Sequence, residues 1–304
     1  MCGLAGELKF DGGFVTFDGL TSMADAMAAR GPDAQGTYVQ SDIGLAHRRL
    51  SIIDLSDRAQ QPMHDPSLGL TIVFNGAIYN YKELRPELEA KGYKFYSDGD
   101  TEVILKAFHA WGEACVERFH GMFAFAIWDR GNRTLTLARD RLGIKPLYLA
   151  PIRGGLRFAS NMQALLAAGG VDTEIDPVAL NHYMNFHAVV PAPYTIVSGV
   201  RKLPPATTMT VTADGKQTQR RYWEPVYGTP DEDLRVSEDE WRDRVLDALW
   251  VAVQRRLVAD VPVGVLLSGG VDSSMITALV AEQTGGNLDT FSVGFETVGN
   301  EQGD

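Results

Sequence analysis

A dense succession of short β-type runs fills the first half of this chain, and helical patterns break into it in groups of their own. The runs fall at residues 3–10, 37–39, 70–74, 122–128, 134–138 and 156–159. Each is rich in β-branched or aromatic residues over strand length and is bounded by turn residues. Helical periodicity appears at 17–29, 81–91 and 101–111. Strands and helices in such separate groups imply a layered α+β domain, because a doubly wound sheet requires strict strand–helix alternation.

The pattern changes twice further along. Residues 161–236 are mixed, with helices near 162–168 and 177–186, strand-like runs near 207–211 and 219–223, and the acidic, turn-rich EPVYGTPDEDLRV from Glu224, which reads as a linker. Ser237 and Glu240 have capping-box spacing and start a long helix that runs through 250–257. The buried-type strand VPVGVLL, the loop SGGVDSS, a helix over 274–282 and a second apolar strand over 290–295 follow. Strand–helix–strand in this order is a βαβ unit of a parallel sheet. Two parallel strands cannot cover both faces of a sheet, so this third zone reads as the opening part of a larger α/β domain. The expected division is therefore 2–160, 161–236 and 237–304.

A length of 304 residues with 45% hydrophobic content supports about two domains, each with its own core. The formal net charge of -11 argues against nucleic acid as a partner, since that needs a basic face. No run approaches the ~18 apolar residues of a membrane span. The start MCGLAGELKF lacks the basic region of a signal peptide. Only two cysteines occur, Cys2 and Cys115, so neither a disulfide framework nor a cysteine zinc site is expected, and a cytoplasmic setting fits. The six histidines show no ligand spacing among themselves or with Cys115, which reads as an inert core thiol.

Cys2 follows the initiator methionine directly and is small enough to permit its removal. The exposed residue then carries a thiol and a free α-amine on one carbon. An α-amine titrates near ~7.7–8.0, so a useful fraction is neutral at pH 7 and can act as a base. The thiolate is the attacking species, and nucleophile and base then share one residue. Taken alone, Cys2 is more simply an incidental cysteine at a strand start.

In the third zone, SGGVDS at 268–273 lies between an apolar strand and a helix. Gly269 and Gly270 let backbone approach a phosphate, and the helix N-terminus adds N–H groups and its positive dipole end. Ser268 and Ser273 supply hydroxyl donors, and Asp272 can hold Mg²⁺ through oxygen. A plain glycine turn is the competing reading. GxxxxGK[ST] and HExxH are both absent.

An ordered series surrounds Cys2: CGLAGE at 2–7, RGPDAQG at 30–36, HRRLSIIDLS at 47–56, FNGAIYNY at 74–81, GDTEVIL at 99–105, GMFAFAIWD at 121–129 and RDRLGIKPLY at 139–148. This series resembles the class II glutamine amidotransferases, the N-terminal-nucleophile glutaminases, and most closely those of the asparagine synthetase family. The SGGVDS loop resembles the PP-loop of the ATP pyrophosphatases, which fits that family. The resemblance implies a layered N-terminal-nucleophile domain followed by the start of an α/β PP-loop domain. It implies that Cys2 attacks the glutamine side-chain amide to form a glutamyl thioester, with the Asn75 side chain and the Gly76 N–H as oxyanion hole. Arg49 pairs with the glutamine α-carboxylate, Leu50, Ser51, Ile52 and Ile53 line the pocket, and Asp100 holds the α-ammonium. Leu267 and Val293 match positions that contact adenosine. RGPD and RDRLGIKPLY read as scaffold. Taken singly, Asn75-Gly76 is a hairpin signal, Arg49 a surface arginine and Asp100 a helix N-cap; their order together gives them these roles.

One departure stands out. The family carries Glu after the Asn-Gly pair, and this chain has Ala77. One of two carboxylates near the substrate ammonium is thus replaced, and Asp100 is expected to suffice.

The implied reaction delivers ammonia to a carboxylate activated by ATP, with Mg²⁺, as an acyl-adenylate. NHYMNFHAVVPAPYTI at 181–196, FETVGNEQGD at 295–304 and Ala77 resemble the branch that amidates N-acetylglutaminylglutamine; aspartate is the alternative acceptor. The expected partners are glutamine, ATP and a small carboxylate, with a homodimer as an open assembly and neither nucleic acid nor membrane. The 304-residue chain is expected to hydrolyse glutamine without completing amide transfer. Two readings compete: an N-terminal-nucleophile hydrolase of another amide, and a nucleotide-binding regulatory module that has lost catalysis.

Overall fold

The computed structural model describes residues 1–228, 230 and 233–294, so the stretch 295–304 lies outside the described residues. The chain divides into two compact units, Met1–Pro225 and Val226–Asp304.

Along the first unit run β1 (Gly3–Lys9), α1 (Phe17–Asp25), β2 (Ala34–Gln40), β3 (Ile43–Arg49), β4 (Met63–Asp65), β5 (Leu70–Ile78), α2 (Tyr81–Ala90), α3 (Asp100–Trp111), β6 (Gly121–Asp129), β7 (Thr134–Arg139), β8 (Tyr148–Ile152), β9 (Gly155–Ala159), α4 (Met162–Ala167), α5 (Pro177–Asn185), β10 (Arg201–Lys202), β11 (Thr207–Thr212) and β12 (Gln217–Arg221). The strands form two six-stranded sheets, in the orders β10-β8-β9-β1-β3-β2 and β12-β11-β7-β6-β5-β4. All of their pairings are antiparallel.

The sheets pack face to face. Leu4, Leu8, Ile43, Leu45 and Phe158 from the first meet Val73, Ala124, Ala126, Leu137 and Met209 from the second in one buried cluster. The outer face of the first sheet is covered by α1 and α4, through Leu20, Met23 and Leu165 against Ala5, Ala46 and Ala159. Helix α3 lies against β5, and α2 against α3. The result is the layered α+β arrangement that the grouped strand and helix patterns imply.

Four strands, β3, β4, β8 and β10, escape sequence patterning, and two of them show why. β3, IGLAHRR, is covered on both faces and so has no polar–apolar alternation. β8, YLAPI, carries Pro151, which ordinarily argues against a strand.

The second unit contains α6 (Glu238–Arg256), β13 (Gly264–Leu266), α7 (Val271–Thr284) and β14 (Asp289–Phe291). The Ser237 hydroxyl caps α6 by accepting the Glu240 N–H at 3.2 Å. β13 and β14 pair in parallel, with Gly264 opposite Asp289. This is a βαβ unit with the SGGVDS loop between β13 and α7. Among the described residues no helix is long and apolar enough to cross a membrane.

Candidate active site

A cavity of about 270 Å³ opens where β1, β5, β6 and α3 meet, and Cys2, Arg49, Asn75, Gly76 and Asp100 all line it. Residues far apart in sequence thus reach one space because β1 begins beside the end of β3 and the edge of β5. The backbone N–H of Leu50 lies 3.3 Å from Cys2 Sγ, and the thiol in turn faces the Leu50 carbonyl at 3.5 Å. Burial pushes the Cys2 thiol pKa up, so the resting nucleophile is a neutral thiol that needs a base.

The edge of β5 turns hydrogen-bond donors toward the cavity. In an antiparallel strand the N–H and C=O groups of alternate residues point to opposite sides. Tyr79 donates toward the β6 side, to the His120 carbonyl at 2.8 Å. Even-numbered residues therefore point the other way. On that side the Ile78 N–H is taken by Asp100 Oδ2 at 2.9 Å, and the Phe74 N–H by Gln61 Oε1 at 2.6 Å. Gly76 lies between them and lines the cavity, so its N–H faces that space. Beside it, the buried Asn75 Nδ2 has no hydrogen-bond partner among the described residues. A buried donor without an acceptor is costly, and this one lies where a substrate oxygen can satisfy it. Glycine is required next to it: a Cβ on residue 76 would lie 2.1 Å from the Met122 carbonyl oxygen of β6.

Two charges of opposite sign complete the cavity. The Arg49 guanidinium is buried and oriented by the carbonyls of Ser56, at 3.0 Å, and Asp54. It has five N–H donors in a fork suited to a carboxylate, more than those two contacts use. Asp100 is buried at the start of α3, and burial pushes its pKa up to about 6 despite the N–H groups it accepts. Glu102, fully buried, fixes the approach to Asp100 by accepting the N–H groups of Tyr96 and Ser97 at 3.1 Å and 2.8 Å. Asp100 is the one carboxylate among the residues that line the cavity, and Ala77 lies on the same wall.

Several placements were not legible beforehand. Leu50, Ile52 and Ile53 line the cavity, but Ser51 does not; its N–H donates to Asp33 Oδ2 at 2.8 Å, which fastens this loop to the RGPD stretch. Arg30, in the same stretch, donates from Nε to the Cys2 carbonyl at 3.2 Å. Lys145, in RDRLGIKPLY, lines the cavity with Nζ at 3.3 Å from Met1 Sδ. Two stretches that read as scaffold therefore border the nucleophile. Thr101 and Met122, inside the GDTEVIL and GMFAFAIWD stretches but given no role there, also line the cavity, as does Gln61, which no motif marked.

In the second unit, the SGGVDS loop folds on itself. Ser273 Oγ accepts the Ser268 N–H at 3.3 Å and donates to the Gly270 carbonyl at 3.1 Å. Gly269 has φ +80, a backbone conformation that glycine allows at no steric cost. Gly270 caps α7, and Asp272 stands exposed in its first turn. Leu267 donates its N–H to the Phe291 carbonyl at 2.8 Å, which brings it beside the segment that leads to Val293. Among the described residues no group of three His, Cys, Asp or Glu side chains could hold a metal ion.

Residues 1–223 match the glutamine amidotransferase domain family, and the chain belongs to it. Residues 244–304 match the asparagine synthase family. It is 41% identical over 280 residues to asparagine synthetase (glutamine-hydrolyzing) 1 of Bacillus subtilis (strain 168), covering 92% of this chain and 43% of that protein. It is 35% identical over 306 residues to asparagine synthetase (glutamine-hydrolyzing) 3 of the same organism, covering 97% and 48%. A solved structure, the glutamine phosphoribosylpyrophosphate amidotransferase from B. subtilis complexed with ADP and GMP, aligns with a TM-score of 0.56 at 16% identity, over 98% of this chain and 68% of that one. At that identity the likeness carries the fold alone. The chain spans under half the length of the two curated relatives.

Proposed function

We propose that this protein hydrolyses glutamine at Cys2 and passes the ammonia to a carboxylate that ATP has activated as an acyl-adenylate. One observation carries the reading: the unpaired Asn75 amide and the Gly76 N–H face a cavity that also holds Cys2, Arg49 and Asp100. A glutamine bound with its α-carboxylate on Arg49 and its α-ammonium on Asp100 presents its side-chain amide to the thiol. Once Met1 is removed, the Cys2 α-amine takes the thiol proton, and the thiolate attacks the amide carbon. The negative charge that develops on the amide oxygen is met by Asn75 Nδ2 and the Gly76 N–H, each worth roughly 3–4 kcal/mol in the transition state. Collapse breaks the C–N bond, the Cys2 ammonium returns its proton to the leaving nitrogen, and ammonia departs. Water then hydrolyses the glutamyl thioester to glutamate and restores the thiol.

The second unit supplies the ATP reading. The Gly269–Gly270 backbone, the Ser268 and Ser273 hydroxyls and the start of α7 suit a pyrophosphate group, with Leu267 and Val293 beside the adenosine. Asp272 is a lone carboxylate, so it could hold Mg²⁺ only together with the nucleotide phosphates, as that ion commonly binds. Magnesium there supplies charge neutralisation to the phosphates.

N-acetylglutaminylglutamine is the acceptor we favour, on the sequence of residues 181–196, the stretch 295–304 and Ala77. Aspartate is the second reading, supported by the names of the relatives.

The first test is glutamate release from glutamine by this chain, with intact mass measured after a glutamine-analogue electrophile. The expected result is loss of Met1, one label on Cys2 and no hydrolysis by Cys2→Ala. ATP binding without labelling of Cys2 would support the regulatory module instead. For the acceptor, pyrophosphate release is measured in a protein spanning the relatives' full length. Release that depends on aspartate and ignores the dipeptide overturns our choice.

A further inference from the structure

Phe74 precedes Asn75 on β5, and side chains hold its peptide groups where a strand would otherwise do so. β4 begins only at Met63, opposite Ile72. Two positions further along the same register Gln61 comes opposite Phe74, but it lies outside the ladder. The Phe74 N–H donates to Gln61 Oε1 at 2.6 Å, and the Phe74 carbonyl accepts from His47 Nε2 at 2.9 Å. Gln61 Nε2 in turn reaches Thr101 Oγ1 at 3.4 Å, next to Asp100. His47 comes from β3 in the opposite sheet and is 1% exposed. Because its partner is a carbonyl, Nε2 carries the hydrogen. Burial holds the His47 pKa down to about 4, so the ring is neutral at neutral pH.

We infer that His47 and Gln61 are positioning residues for the oxyanion hole, fixing the peptide groups on either side of Phe74 so that the Asn75 amide and the Gly76 N–H aim at one point. Both side chains are polar and buried, at places an apolar pair could fill with no hydrogen bond to satisfy. Gln61 holds the peptide group before Phe74 and His47 the one after it, which runs into Asn75. Neither touches the reacting atoms. The inference rests on the glutaminase reading above.

The test compares His47→Leu and Gln61→Leu, which remove the donor and the acceptor, with His47→Gln, which keeps an N–H donor. Misplacing oxyanion donors is expected to lower kcat for glutamine hydrolysis ~10–100-fold with KM unchanged. His47→Gln is expected to recover most of that loss. Alkylation of Cys2 by iodoacetamide forms no oxyanion, so its rate is expected to stay at the wild-type value in all three. Wild-type kcat in both leucine variants overturns the inference. So does a loss matched by slower alkylation and higher KM, which would report general damage to the cavity. An inactive wild-type chain overturns the glutaminase reading and this inference together, whereas an active wild type with unaltered variants overturns this inference alone.

Discussion

Asp100 Oδ2 accepts the backbone N–H of Ile78 at 2.9 Å, two residues beyond Gly76 on the same edge of β5. The carboxylate proposed for the substrate ammonium is therefore tied to the strand that carries the oxyanion hole. With Ala77 on the same wall, Asp100 is the only carboxylate there to meet that ammonium. Asp100→Asn is expected to raise KM for glutamine ~10–100-fold, the value of a charged hydrogen bond, with a smaller change in kcat. Because burial pushes the Asp100 pKa up to about 6, its charge is lost as pH falls below that value. The wild-type kcat/KM is thus expected to fall on the acid side of pH ~6 and the Asn variant to lack that limb. An unchanged KM in the variant would sink the assignment.

Asn75 and Gly76 should separate activity from stability. Among the described residues Asn75 Nδ2 has no partner, so Asn75→Ala removes no bond from that atom there. Its melting temperature is expected to stay near wild type while kcat falls ~10²–10³-fold. Gly76→Ala is different, because the new Cβ would lie 2.1 Å from the Met122 carbonyl oxygen and force β5 and β6 apart. Both melting temperature and kcat are expected to drop, by calorimetry and glutamate release.

The proposed reaction uses the α-amine of Cys2 as base, which requires removal of Met1. A variant with a non-cleavable N-terminal extension is expected to lose glutamine hydrolysis while keeping its fold by circular dichroism. Iodoacetamide should still alkylate Cys2 in that variant, since the thiol remains. Full hydrolysis by the extended chain would mean that some other group accepts the thiol proton, and Lys145, on the cavity wall, would be the first to replace.

The fold was legible where short runs of β-branched, aromatic and other large apolar residues stand between turn signals, as in the runs that became β6, β7 and β9. It was illegible at β3, whose Gly, Ala, His and Arg residues are covered on both faces. Cys2, Asn75, Gly76 and Asp100 could be grouped in advance only through motif order, since each taken singly has a plainer reading, and all four line one cavity. His47 and Gln61 could not be grouped with them. His47 stood inside the quoted HRRLSIIDLS, but only the packing of one sheet on the other brings its ring to the Phe74 carbonyl. Gln61 matters because β4 begins where it does, and no local pattern sets that start.

His47 and Asp100 also predict how stability depends on pH, and they act in opposite directions. Burial lowers the His47 pKa from 6.5 to about 4, so in that window the unfolded chain binds the proton and the folded one does not. Its contribution is present above pH 6.5 and is lost as pH falls toward 4. Burial raises the Asp100 pKa from 3.8 to about 6, so there the folded chain binds the proton first. That contribution is present below pH 3.8 and is lost as pH rises through 6. Each shift corresponds to about 3 kcal/mol, so between pH ~4 and 6 the two slopes largely cancel. Asp100→Asn removes one of them. Denaturant unfolding of that variant should therefore show stability falling more steeply than wild type as pH drops from 6 toward 4. His47→Gln should show the reverse, a shallower fall or a gain over the same range. Parallel profiles for all three proteins would mean that neither group changes its proton affinity on folding.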